Sequence, residues 1–276
     1  MRVLTPLQQI ERSIQKKYRV ALWQPFIEGA KRYKLINAND RIAVCISGGK
    51  DSMLLAKMMQ ALKHQSDVPF ELCFIAMDPG YNEINRQKIE ANAALLDIPV
   101  QFFHSDIFKV VSKTNRSPCY LCARMRRGYL YAYAQELGCN KIALGHHFSD
   151  AIETVLMNLL YGSRIEAMMP RIRSKNYSGM ELIRPLYCVH EEAIIAWARY
   201  NALTFIACGC PLAENCSIYD AAGGGARPTV KALLKQLRRD NKNVERSIFE
   251  AVHRVNLETV LGYKQGGETF SFLDEF

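Results

Sequence analysis

The chain has 276 residues, is 49% hydrophobic and 23% charged, and carries a formal net charge of +9. This is globular composition, long enough for one large domain or two small ones, and the basic balance points to an acidic partner, most often nucleic acid. No apolar run approaches the roughly 20 residues that span a bilayer, and Glu11 with its neighbouring charges interrupts the apolar stretch that a signal peptide would need. A cytoplasmic protein without membrane contact is therefore expected, in which nine cysteines do not form a disulfide framework.

Residues 3–34 show helical spacing through Leu4, Leu7, Ile10 and Ile14, then Ala21, Trp23, Phe26 and Ile27, and are strongly basic. From Arg41 the pattern changes. "RIAVCIS" reads as a short strand, followed by "GGKDS" and a helix from Met53 to about Lys63. "FELCFIAM" is a second strand, "NEINRQKIEANAALLDI" a helix and "VQFFH" a third strand. A helix opens at Cys119 and Cys122 and runs to Gly138; "KIALGHH" is a strand and "SDAIETVLMNLLYG" a helix. "LIRPLY" and "TFIAC" read as extended, with a helix over "EEAIIAWARYNA" between them. "AAGGGARP" is linker-like and a basic helix follows; the last ten residues read as loosely held. Alternating strands and helices predict an α/β fold, a mostly parallel sheet with helices on both faces, plus an N-terminal helix and a helical C-terminal region. The expected divisions are a basic helical segment over 1–39, the α/β domain over 40–220 and a basic helical tail over 221–276. Ligands of such sheets collect at the carboxyl ends of the strands.

"CISGGKDS" carries the most specific chemistry. Gly48 and Gly49 leave backbone N–H groups open to phosphate oxygens, and the following helix turns its positive end to the same place. Ser47 and Ser52 offer hydroxyls, Lys50 a point charge and Asp51 a hard oxygen ligand for magnesium. The spacing is not that of a Walker A loop. It resembles the SGGxDS signature of the PP-loop pyrophosphatases, which implies ATP cleaved between its α- and β-phosphates to adenylate a substrate.

Five further cysteines have ligand-like company: Cys119 and Cys122, then Cys208, Cys210 and Cys216. Their spacing alone suits a redox pair, a zinc site or an iron–sulfur cluster. Cys45, Cys73, Cys139 and Cys188 read as core or incidental residues. "PCYLCARMRRG…KIALGHHFSDAIETVLMNLLYGS…IRPL" is similar to the tRNA 2-thiolation branch of the PP-loop family, nearest the 2-thiocytidine synthetases. The similarity runs from about Asp40 to Cys210. It implies a 4Fe–4S cluster on three cysteines, carried over to Cys119 and Cys122 directly and to Cys210 as third ligand, with Cys208 the alternative. It also implies nucleotide contacts at Gly145, His146 and Asp150, with adenine near Ala76 and Met77. Many relatives have two adjacent acids where this chain has Ser149 and Asp150. The resemblance further implies a tRNA substrate, a cysteine desulfurase or other sulfur donor, and a homodimer. Arg124, Arg126, Arg127, Arg164, Arg171 and Arg173 are candidate tRNA contacts. The first cysteine is Cys45, so the cysteine-rich N-terminal zinc ribbon of the 2-thiouridine relatives is not expected, which favours thiocytidine. The competing readings are a 2-thiouridine-type thiolase, a lysidine-type ligase that attaches an amine, and a nucleotide-binding sulfur-transfer protein without an RNA substrate.

Overall fold

The structure is a computed structural model that describes residues 4–111, 118–206 and 226–275, and within these it does not describe the side chains of 109, 111, 118–120, 123 and 275. The chain forms two compact units, one drawn from Met1–Ala151 and Met169–Gly224, the other from Ile152–Met168 and Gly225–Phe276.

The first unit opens with α1 (Pro6–Arg12), whose N-terminus is closed by a capping box between Thr5 and Gln8. Two π-helical segments, Ser13–Lys17 and Arg19–Trp23, and α2 (Gln24–Arg32) continue it. The expected single helix over 3–34 is thus interrupted twice by wider turns. Ile10, Ile14, Leu22, Trp23 and Phe26 nevertheless all enter the core.

The sheet contains β1 (Arg41–Cys45), β2 (Glu71–Asp78), β3 (Val100–His104), β4 (Lys141–Ala143), β5 (Arg171–Arg173) and β6 (Glu181–Ile183). Their order is β3-β2-β1-β4-β6-β5; all pair in parallel except β5, which runs antiparallel along β6. The helices of this unit are α3 (Lys50–Gln65), α4 (Glu83–Leu95), α5 (Ile107–Val111), α6 (Pro118–Glu136) and α8 (Glu191–Tyr200); α7 spans Phe148–Gly162.

Side-chain alternation along the strands divides the core. Ile42 and Val44 of β1 and Phe74 and Ala76 of β2 pack with Met53, Leu54, Trp197 and the N-terminal helices. Ala43, Cys45 and Ile75 point the other way, onto Tyr131 and Ala134 of α6. Helices therefore cover both faces, as the alternating pattern predicted. Lys141 carries its charge inside: 2% exposed, it donates to Asp40 Oδ2 at 2.6 Å and to the Leu35 carbonyl at 2.9 Å. These bonds replace the water that a buried ammonium gives up.

The chain builds outward from β1 through β2 to β3, then returns to the other side of β1 with β4. That reversal opens a crevice at the carboxyl ends of β1 and β4. The loops after both strands lie there.

Three local readings differ from the sequence expectation. The strand "KIALGHH" ends at Ala143, "TFIAC" is not a strand over its described residues 204–206, and the short edge strand β5 had no distinctive signal. In the second unit the basic C-terminal segment divides into α9 (Ala226–Asp240) and α10 (Val244–Ala251). The last residues form a hairpin, β7 (Gly262–Gln265) with β8 (Glu268–Ser271), rather than a loose end. Its turn residues Gly266 and Gly267 have φ of 63° and 96°, the positive values that a tight hairpin turn requires.

Candidate active site

Ser47–Ser52 links β1 to the first turn of α3, and its shape follows from its glycines. Gly48 has φ of +83°, and a Cβ there would fall 2.5 Å from Ile89 Cγ1 and 2.8 Å from Ile206 Cδ1. Gly49 is the N-cap of α3 and has no side-chain cap, so the helix presents its first-turn N–H groups and positive end to a ligand. Ser52 ties the loop shut: its Oγ accepts from Ser47 N at 3.1 Å, lies 3.1 Å from Ser47 Oγ and donates to the Gly49 carbonyl at 3.0 Å. The two serine hydroxyls thus shape the loop from within.

Lys50 lies between two carboxylates, 3.1 Å from Asp51 Oδ2 and 3.0 Å from Glu191 Oε1. Burial alone would lower its pKa, but Asp51 and Glu191 outweigh burial and the pKa ends raised. The ammonium is therefore charged throughout the neutral range. Asp51 Oδ1 is buried and has no hydrogen-bond partner among the described residues. A buried carboxylate oxygen left in that state is suited to a hard cation, and this is where the residues fit magnesium.

The strand end after β4 closes the other side. A Cβ on Gly145 would lie 3.1 Å from both Asp51 C and Ser52 N, so only glycine lets this backbone rest against the first turn of α3. His147 is buried, and its Nε2 is 3.8 Å from Asp51 Oδ1 and 4.0 Å from Glu191 Oε1. Asp150 accepts from His147 N at 3.1 Å and its own N–H donates to His147 Nδ1 at 3.3 Å. Nδ1 also lies 3.3 Å from Asp150 Oδ2, so Asp150 fixes the ring with Nε2 toward the two carboxylates. His147 thus faces the loop's carboxylates, while the nucleotide contact implied by the resemblance was its half-buried neighbour His146.

Ala76 and Met77 lie near the end of β2 and are both buried, Ala76 in the core shared with α3 and Met77 against Ile107 and Phe108. Asp78 follows. It accepts from Gly80 N and Tyr81 N, both at 2.9 Å, and from Arg86 at 2.8 Å.

Cys122, half-buried on α6, packs on the patch formed by Met77, Ile107 and Phe108. A soft thiol at the end of β2 is thereby placed beside the expected nucleotide site. Cys119 lies in the same helix, but its side chain, with Cys208, Cys210 and Cys216, falls outside the described residues. The chain leading to Cys208 is described as far as Ile206, which lies directly over Gly48. Arg126 holds its guanidinium 5.5 Å from the Phe108 ring, and its buried Nε has no hydrogen-bond partner among the described residues. Arg124 and Arg127 are exposed on the same helix. Arg171 is engaged structurally by a two-point bond to Glu181, with both distances 2.9 Å, whereas Arg173 is 90% exposed. Arg164, in the second unit, pairs with Glu166 at 3.2 Å.

Of the four cysteines read as core or incidental residues, Cys45 and Cys139 are buried, and Cys73 and Cys188 half-buried. Burial, reinforced by Cys73, pushes the Cys139 thiol up to about 12. The residue that sequence reasoning missed is Glu191. It reads as an ordinary acid in the first turn of a helix, and its partner Lys50 is 141 positions away.

The geometry can be set beside known proteins. Residues 10–208 match the family profile described as a PP-loop domain. The chain belongs to the PP-loop family. This PP-loop protein is 38% identical over 226 residues to the tRNA-cytidine(32) 2-sulfurtransferase of Geobacter metallireducens, a match covering 81% of this chain and 85% of the relative. It is 31% identical over 238 residues to the Pelobacter propionicus protein of the same name, covering 85% and 86%. Among solved structures it resembles the U34-tRNA thiolase NcsA from Methanococcus maripaludis with its 4Fe–4S cluster, with a TM-score of 0.65, 19% sequence identity, and coverage of 86% of this chain and 79% of that one. That likeness establishes a shared fold. Among the described residues, no helix of this PP-loop protein is long and apolar enough to cross a membrane.

Proposed function

We propose that this PP-loop protein is an ATP-dependent, AMP-forming tRNA sulfurtransferase that replaces the C2 oxygen of an anticodon-loop cytidine with sulfur. The observation that carries the reading is convergence on one crevice. Cys122 packs on the cluster of Met77, Ile107 and Phe108 beside the end of β2, and Ile206, two residues before Cys208, lies over Gly48 of the phosphate loop. The names of the curated relatives supply the substrate class.

In the first step the C2 oxygen attacks the α-phosphorus of ATP; an O–P bond forms and the bond to pyrophosphate breaks. The loop N–H groups and Lys50 stabilise the charge that collects on the departing pyrophosphate. Asp51, through Oδ1, would hold magnesium, with His147 orienting the carboxylate. In the second step sulfide sulfur forms a bond to C2, and the C2–O bond breaks as AMP leaves with the oxygen. Cys119, Cys122 and either Cys210 or Cys208 would hold a 4Fe–4S cluster, which supplies a soft metal site for sulfur delivery. Arg124, Arg126 and Arg127 follow Cys122 on α6 and would receive RNA phosphates. The target base must be unstacked, which a single-stranded loop makes easy. The reading places the protein in the cytoplasm, as a homodimer supplied by a cysteine desulfurase or another sulfur donor.

The test is anaerobic turnover with tRNA transcript, magnesium-ATP and sulfide, followed by nucleoside mass spectrometry. One AMP and one pyrophosphate should appear per 2-thiocytidine formed, and Cys122→Ala should lose iron and thiolation while still binding ATP. Undiminished 2-thiocytidine in Cys122→Ala would remove that cysteine from the reaction, and AMP formation with an amine attached and no thiolated base would return the chain to the lysidine-type ligases.

A further inference from the structure

A second concavity lies in the first unit, at the other end of α8 from the Lys50–Glu191 contact. Helix α8 runs from Glu191 to Tyr200, so its two ends are about 14 Å apart along the axis. The C-terminal end meets the first π segment, where Asn201 donates to Ser13 Oγ at 3.1 Å and Tyr18 donates to the Ala196 carbonyl at 2.9 Å. Between them is a cleft of about 650 Å³, within the range of small-ligand sites.

Its lining includes Arg12, Lys16 and Lys17, all exposed, and no carboxylate. Among the described residues no acid pairs with any of the three. The neighbouring acid, Glu11, is turned away to the buried Lys57, at 2.8 Å. Tyr200, 56% exposed, supplies an aromatic wall, with Lys17 Nζ 3.9 Å from its ring centroid. Leu95 adds an exposed apolar surface, 43% exposed. Unneutralised cations beside an accessible ring match the two faces of a nucleotide: phosphate on one side, base on the other.

We propose that this cleft docks a backbone-and-base segment of the RNA substrate, as a binding site separate from the phosphate loop. The inference rests on the sulfurtransferase reading and adds to it where the RNA is held. Charge complementarity selects the occupant. A triphosphate site would need a backbone opened by glycines, which the cleft's lining lacks, and an acidic protein segment would not call for the ring.

Fluorescence anisotropy of the full chain with a labelled tRNA transcript, from 50 to 200 mM salt, tests it. Replacing the three cations together (Arg12→Ala, Lys16→Ala and Lys17→Ala) should flatten the slope of log K against log salt by about 2 to 3, given roughly 0.7–0.9 per phosphate contact. Tyr200→Ala, which leaves net charge unchanged, should weaken binding roughly 5- to 150-fold, as loss of one stacked base does. Tyr200→Phe should restore it, and all variants should melt and bind ATP like the wild type. A flattened slope with unchanged affinity in Tyr200→Ala overturns the cleft as a site, because it shows general charge attraction only. Wild-type binding in both variants also overturns it and leaves the cleft to an acidic protein partner. If the wild type itself ignores tRNA while binding ATP, the sulfurtransferase reading fails together with the cleft.

Discussion

Replacing Lys50 with methionine removes the ammonium held between Asp51 and Glu191 while keeping the length and most of the apolar bulk of the side chain. In the folded protein the ammonium is 3.1 Å and 3.0 Å from the two carboxylates. A charge-assisted hydrogen bond to a phosphate contributes about 1.5–3 kcal/mol. Lys50 is 26% exposed, so solvent screening draws the value toward the lower end. At 1.4 kcal/mol per tenfold, magnesium-ATP should bind roughly 10- to 100-fold more weakly. The carboxylates left behind add repulsion toward the triphosphate. Adding Glu191→Gln to Lys50→Met should therefore recover part of the loss, several-fold in affinity, although each substitution removes a polar contact. That non-additivity is the signature of direct coupling. Isothermal titration calorimetry with ATP and magnesium reads it. Binding by Lys50→Met within twofold of wild type, or a double variant weaker than the single, would refute the reasoning.

Gly145→Ala would set a methyl group 3.1 Å from the Asp51 and Ser52 backbone. Overpacking of this kind costs about 1–3 kcal/mol, so a lower melting temperature and weaker ATP binding should appear together in a thermal melt and a titration. Acid sensitivity should come from Asp78 and Glu181. Burial alone would raise both, but N–H groups and Arg86 around Asp78, and Arg171 with Lys141 around Glu181, hold them below their ordinary values of 3.8 and 4.5. The unfolded chain then binds more protons, so their stabilisation is complete above those values and is lost as pH falls below them. The urea midpoint should drop between pH 5 and pH 3, with a shallower drop in Asp78→Asn; an unchanged slope in that variant would contradict the assignment.

What the sequence made legible was what local chemistry specifies. Ser47–Ser52 could be read because two glycines, a lysine and an acid must be contiguous to wrap a phosphate at a strand–helix junction. The sheet could be read because short apolar runs such as Arg41–Cys45, buried on both faces, alternate along the chain with helices. Relations between distant positions were illegible. Nothing near Glu191 announces Lys50, and nothing in "GHH" says that the second histidine faces Asp51, because strand β4 stops at Ala143 to bring Gly145 onto α3. The π segments were hidden because a wider turn still buries Ile14 and Leu22. The hairpin at Gly266 and Gly267 did carry a signal, two adjacent glycines between alternating residues, that the reading of a loose end passed over.

The central claim is that the phosphate loop and the cysteines serve one thiolation reaction. Its most direct measurement is mass spectrometry of tRNA nucleosides from cells lacking this gene, complemented with the wild type, Lys50→Met or Cys122→Ala. The account predicts that 2-thiocytidine disappears on deletion and returns only with the wild type. Undiminished 2-thiocytidine in the deletion strain, or full restoration by either variant, would contradict it.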